Sequence, residues 1–200
     1  MEALIDFAAS ISWIVAIILL AIAIIAVLLA IRFRKPGLGL VGVVPIALGA
    51  LGLALGFDVE PAHPTVWAVV ALGLAVLGVL GGNPITLWVL GLTSASDPRS
   101  GSHGGIVVPD EEATRKHKKK KSREVLRGGW VIGYLERLAI VAAIALGHFE
   151  IIAGIIAIKG LGRFTELDNA QARERFIIGT LSSMIWASAC AVLIVLARPV

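Results

Sequence analysis

Long uninterrupted apolar runs constrain this chain more than any other feature. The run from Ile11 to Ile31 contains no charged residue, and it exceeds the ~18–20 apolar residues that a helix needs to cross a bilayer. Across the chain 58% of residues are hydrophobic and 16% are charged, so polar residues are too few to cover a water-soluble core. Because the runs are long rather than alternating, they predict membrane-spanning helices and not a barrel.

The apolar runs predict an all-α integral membrane protein with about six membrane-embedded helical segments. Pro84 interrupts the third, and since proline removes a backbone donor and clashes with the preceding turn, we expect a kinked or re-entrant end of one long helix there. We read the first run as a retained span rather than a secretory signal, because Glu2 and Asp6 precede the first cation, Arg32. The expected segments are 11–31, 38–57, 65–80 continuing as 85–92, two legs within 130–164, and 176–196.

Pairs of small residues predict close helix packing. Gly52 with Gly56, and Gly78 with Gly82, are each four residues apart. In lipid, this spacing lets two helix backbones approach and gain dispersion energy. Both pairs are therefore candidate packing faces.

A polar linker at 94–128 separates an N-terminal three-span module, 1–93, from a C-terminal module, 129–200. Its second half concentrates eight Lys or Arg residues between Arg115 and Arg127, so we expect a disordered cytoplasmic loop that contacts anionic lipid headgroups. Nucleic acid is disfavoured as a partner, because no aromatic residues interleave with the cations to stack bases. The candidate lipid contacts are Lys116, Lys118, Lys119, Lys120 and Lys121.

Charge placement also predicts the orientation. Arg32, Arg34 and Lys35 follow the first span, and cations favour the cytoplasmic side, so the N-terminus is expected outside. Multi-pass insertion in the bacterial cytoplasmic membrane is the expected localisation.

The stretch from Trp130 to Phe164 is apolar yet carries several ionisable residues. As one straight helix its 35 residues would extend ~52 Å, well beyond the ~30 Å of hydrocarbon. A single long helix would place Phe164 outside, whereas a hairpin would return it to the cytoplasm. Cations after the stretch favour the hairpin, with a turn at the polar tetrad Gly147–Glu150.

The hairpin predicts specific contacts for the candidate intramembrane charge cluster of Glu136, Arg137, Lys159 and Arg163. Glu136 should face Lys159 or Arg163 on the other leg, and the long Arg137 side chain should snorkel to the interface. The main interpretation is structural, since paired charges fix which helices pack and in which register. A proton relay through Glu136 and the hairpin-tip residues His148 and Glu150 is the alternative.

No constellation of catalytic or metal-ligating residues stands out. His148 and Glu150 lack a third ligand, and Cys190, the single cysteine, is expected to be a small buried hydrophobe. The sequence therefore predicts no catalytic residue, no metal and no cofactor.

Three motifs in the C-terminal region resemble an uncharacterised bacterial family of multi-spanning membrane proteins. Its pattern is G-x-L-E-R, then A-A-K-S-x-x-R-F, then L-I-G-T-L-x-S, and the resemblance covers residues 133–183. The chain departs from the pattern at Ile158, at Gly160 and at Arg175-Phe176, where the family carries Ala, Ser and Glu-Tyr. The resemblance implies the architecture and no known reaction. The matching residues are Gly133, Leu135, Glu136, Arg137, Lys159, Arg163, Phe164, Ile178, Gly179, Thr180, Leu181 and Ser183.

The sequence thus favours a non-enzymatic scaffold or accessory protein, acting through helix packing, a membrane-protein partner, self-association or its basic loop. A small transporter or channel that uses the intramembrane charges is the first alternative. A membrane enzyme is the second, and it is the least favoured.

Overall fold

The computed structural model describes residues 2–56, 64–93, 129–161 and 170–198, and within them every regular element is helical. Five helices in these ranges are long and apolar enough to cross a membrane, which agrees with the predicted helical class. The linker with its lysines, the loop at 58–63 and Arg163 lie outside the described residues. The elements are α1 (Glu2–Phe33), a 3-10 helix (Pro36–Gly42) continuing into α2 (Val43–Ala54), α3 (Pro64–Thr93), α4 (Gly129–Leu146), α5 (Glu150–Leu161) and α6 (Ala170–Leu196).

The expected sixth segment is present as a short helix, α5. Its 12 residues rise only ~18 Å, less than the ~30 Å of hydrocarbon. The two legs of the predicted hairpin are therefore unequal, since α4 has 18 residues and qualifies as a span.

One boundary differs from the expectation. The last segment is expected to begin at Phe176, whereas α6 already begins at Ala170 and runs unbroken to Leu196. The third segment is one long helix, as expected, and it continues through Pro84. Pro84 is buried and lies against Gly39 of the 3-10 helix, where an added Cβ would come within 2.7 Å of the proline Cβ. Packing thus holds this proline inside the helix.

Side-chain contacts fix the relative directions of the helices. Gly78 of α3 lies beside Cys190 of α6, whereas Thr86 lies beside Gly179, so α3 and α6 are antiparallel. Because Gly82 lies beside Arg137 and Gly78 beside Val141, α4 is also antiparallel to α3. Hence α4 and α6 run in the same direction.

The centre of the bundle is the long α3, which packs against α1, α4, α6 and the 3-10 helix. Glycines on α3 make this possible: Gly78 meets Cys190 and Val141, and Gly81 meets the Trp186 ring. The predicted pair Gly78 and Gly82 is therefore confirmed as a packing face.

The prediction that Gly52 and Gly56 form a packing face is wrong within the described residues. A Cβ on either would meet nothing within 4 Å, and Gly56 has a φ of 73° just beyond the end of α2. That left-handed conformation suits glycine and ends the helix. Gly49 instead faces Leu193 of α6.

Candidate functional site: charged groups between the helices

The two central charges of helix α4 lie on different faces of the helix. Glu136 and Arg137 lie near the middle of this 18-residue helix. Consecutive residues on a helix are ~100° apart around the axis. Arg137 consequently turns toward α3 and α6, while Glu136 turns toward α5.

Arg137 is buried, with 5% of its surface exposed. Its Nε donates a hydrogen bond to the carbonyl of Val79 on α3 at 2.6 Å, and its Nη1 donates to the Ser183 hydroxyl on α6 at 3.0 Å. Its Cζ also lies 4.9 Å from the centre of the Tyr134 ring, within the range of cation–π attraction. The expectation that Arg137 snorkels outward is therefore wrong, because its guanidinium bonds inward to Val79 and Ser183 and so joins three helices.

Two glycines make room for this guanidinium. A Cβ at Gly82 of α3 would overlap the Arg137 Cδ and Nε, and one at Gly133 would lie 3.2 Å from Nη1. The motif residues Gly133 and Arg137 thus act together, one turn apart on α4. Gly82, on the facing helix α3, provides the rest of the space for the guanidinium.

Glu136 pairs with Lys159, one of the two partners that the hairpin geometry predicts. The Lys159 ammonium donates to Glu136 Oε2, and the two side chains are only 19% and 14% exposed. Glu136 lies 11 residues before Gly147 and Lys159 lies 11 residues after His148, which is the register of an antiparallel hairpin. The contact supports the hairpin over one continuous helix.

The hairpin turn is built by a left-handed glycine. Gly147 has a φ of 77°, its N–H donates to Ile144 O at 3.1 Å, and the His148 N–H donates to Ala143 O at 2.8 Å. This is the Schellman pattern that satisfies the last carbonyls of a helix. Beyond it, His148 Nδ1 lies 3.0 Å from Glu150 Oε1, with both side chains exposed. The pair therefore sits at the tip, as the sequence predicts.

Two contacts and one buried charge were not expected from the sequence. Ser183 is a partner of Arg137, the Trp186 indole donates to Leu77 O at 3.1 Å, and Arg175 is buried at 9% exposure. Arg175, Gly179 and Ser183 recur every four residues, a spacing that puts them on one helix face. This four-residue spacing is the sequence signal that could have indicated their shared face.

The polar contacts of this region join helices α3, α4, α5 and α6. The described residues hold no group of three or more His, Cys, Asp or Glu side chains that could bind a metal, and Cys190 is buried and free as expected. The chain matches no protein-family model, no curated protein and no solved structure. Its class is an all-helical chain with five potential membrane spans in the described ranges.

Proposed function

We propose that this chain is a non-enzymatic polytopic membrane protein that serves as a scaffold or accessory protein. One observation carries the proposal: both central charges of α4 are committed to contacts between helices. Arg137 bonds to α3 and α6, and Glu136 bonds to α5. Buried polar contacts of this kind specify which helices pack and in what register.

The proposed setting is the bacterial cytoplasmic membrane, with the N-terminus outside and the 94–128 loop in the cytoplasm. The distribution of cations supports this orientation. Arg32, Arg34 and Lys35 follow α1, and Arg173 and Arg175 lie near the start of α6. Gly39, shortly after the first group, lies against Pro84 of α3, and Gly179, shortly after the second, lies against Thr86 of α3, so both groups lie near one end of the bundle, as the positive-inside rule favours. The family resemblance supports the bacterial setting.

The proposed partners are anionic lipids and a second membrane protein or a second copy of this chain. Lysines of the basic loop would contribute ~1 kcal/mol each to attraction near an anionic surface. Large apolar side chains on the exterior, including Leu72 and Ile185 at 66% and 67% exposure, suit contact with lipid or another helix.

Flux and assembly measurements on one variant test the scaffold role. Glu136→Gln should lower the yield of folded protein from membranes, because Lys159 loses its carboxylate partner. Proton and solute flux in liposomes should stay at the background of protein-free vesicles for both forms. Flux that requires Glu136 in the wild-type chain would overturn the scaffold proposal.

The basic loop has its own test. Deleting residues 115–123 should weaken retention of anionic lipid and of co-purifying membrane proteins while the helical content stays the same. An unchanged lipid and partner profile would contradict a recruiting loop.

A small transporter or channel is the second candidate, and a specific observation favours it. Three ionisable residues lie at the level of the middle of α4, Glu136 paired with Lys159 and Arg137 on another face of the helix, and charge at this depth is costly in a bilayer and often marks an ion pathway. The same flux assay decides between the two candidates. An enzyme remains the least favoured function.

A further inference from the structure

Asn83 of α3 is polar and exposed in a part of the helix that is otherwise covered. Within residues 73–90 it is the only exposed residue, and Thr86 is the only other one with a hydroxyl, amide or charged side chain. The Thr86 hydroxyl donates to Gly179 O at 3.5 Å, whereas no hydrogen bond joins the Asn83 amide to another described residue. An amide without a partner is costly on a lipid-facing surface.

The two neighbours of Asn83 in the chain define its place in the bundle. Gly82 lies against Arg137, near the middle of α4, and Pro84 lies against Gly39 of the 3-10 helix. Consecutive helical residues are ~100° apart around the axis, so Asn83 lies on the outer side of α3 between these two contacts. It is therefore level with the centre of α4, away from the polar ends of the helices.

The proline beside Asn83 leaves a backbone acceptor on the same side of α3. Pro84 has no N–H, so the Leu80 carbonyl, four residues earlier, loses its donor within the helix. Leu80, Asn83 and Leu87 are spaced by three and four residues, a spacing that puts them on one helix face. This face, called the Asn83 ridge below, thus combines an exposed amide with a carbonyl and two leucines.

We propose that the Asn83 ridge is a self-association surface on which a second copy of this chain docks within the membrane. A carboxamide carries both donors and an acceptor, so two Asn83 side chains related by a twofold axis can bond to each other without any other polar group. Amide hydrogen bonds between helices stabilise association in lipid, and a single asparagine can fix the register. The inference rests on the proposed scaffold role and names the surface for one of its partners.

Energy transfer between labelled full-length chains in phosphatidylcholine–phosphatidylglycerol vesicles measures the association. Asn83→Leu removes the amide but keeps a side chain of similar size, so the dissociation constant of the dimer should rise about tenfold. Ile185→Ala is the control, because Ile185 is also exposed, at 67%, but belongs to α6, which packs on another side of α3. It should change the constant less than about twofold.

A conservative variant and the flux assay complete this test. Asn83→Gln keeps an amide and should retain more association than Asn83→Leu. A monomeric wild-type chain, unchanged association in Asn83→Leu or equal losses in Asn83→Leu and Ile185→Ala would each overturn the self-association surface. Flux that requires Glu136 would instead refute the scaffold role, whatever the oligomeric state, so the two failures are distinguishable.

Disulfide cross-linking locates the contact independently of affinity. In a Cys190→Ala background, Asn83→Cys should form a disulfide between two copies in vesicles under mild oxidation, because a twofold axis at the ridge brings the two Cβ atoms near the ~3.5–4.5 Å that a disulfide needs. Ile185→Cys should stay uncross-linked at the same protein density. Absent cross-linking at position 83, or equal cross-linking at the two positions, contradicts the proposal.

Discussion

The seam where α3, α4 and α6 meet contrasts with the contact between α4 and α5. In the seam, Ile140, Ala187 and Cys190 are fully buried, and Arg137 is bonded to both neighbouring helices. The α5 leg has no buried residue. Its notable polar contact is the Lys159–Glu136 pair, and Ile158 and Leu161 are exposed at 74% and 78%.

The difference shows that similar sequence cues lead to different degrees of packing. Both regions offer glycines and mid-helix charges, yet only the seam uses its glycines to admit side chains from facing helices. Gly81 accommodates the Trp186 ring, whereas a Cβ at Gly154 of α5 would meet nothing within 4 Å. The seam therefore specifies one arrangement, and α5 is held more weakly.

Removing Arg137 should have the largest effect on stability. Arg137→Ala leaves a cavity and takes away the partner of the Ser183 hydroxyl, so we expect a loss of about 2–4 kcal/mol in the free energy of unfolding. Reversible unfolding in mixed detergent micelles measures it. Arg137→Met, which keeps most of the volume, should lose less, and the exposed Arg198→Ala should change little. A loss in Arg198→Ala as large as that in Arg137→Ala would contradict the seam as the stable region.

The next largest effect should come from adding a single methyl group, which should destabilise the seam but not α5. Gly81→Ala places a Cβ 2.6 Å from the buried, hydrogen-bonded Trp186 ring, so overpacking should cost about 1–3 kcal/mol. Gly154→Ala enters open space and should be neutral or slightly stabilising, because alanine favours helix over glycine. The same unfolding assay compares the two variants. Equal losses of stability would contradict the difference in packing between the seam and α5.

A double-mutant cycle on the hairpin should give a smaller effect. Glu136→Gln, Lys159→Gln and the double variant should show a coupling energy of about 1 kcal/mol, because the pair is partly buried but peripheral. The charge exchange Glu136→Lys with Lys159→Glu should recover part of the loss. If the effects of the two single variants on the free energy of unfolding were additive and the charge exchange recovered no stability, the ion pair would not hold α5 against α4.

The exposed pair at the tip should contribute least. His148→Ala should change the free energy of unfolding by less than about 0.5 kcal/mol, since solvent screens both groups. Glu150→Gln serves as the control and should give a similarly small change. A large effect of either would mean that the tip is covered by another molecule.

The hairpin and its ion pair were predictable from the sequence because both follow from local counting. The length of residues 130–164 exceeds one span, the polar tetrad marks the turn, and an antiparallel register then places Glu136 near Lys159. The direction of Arg137 was predicted wrongly, because a long side chain has two ways to satisfy its charge. Outward snorkelling needs only its own helix, whereas inward bonding needs Val79, Ser183 and the space at Gly82 on other helices.

The sequence by itself determined the class of this protein. Apolar run length requires helices, the first cations and the basic loop indicate an orientation, and glycine spacing marks the central face of α3. Only the tertiary structure decided which charge meets which partner, that Pro84 remains inside a continuous helix, and that Arg175 is buried. The physical reason is range: hydropathy and turn signals act over a few residues, whereas the surroundings of Arg137 and Arg175 are assembled from helices far apart in the chain.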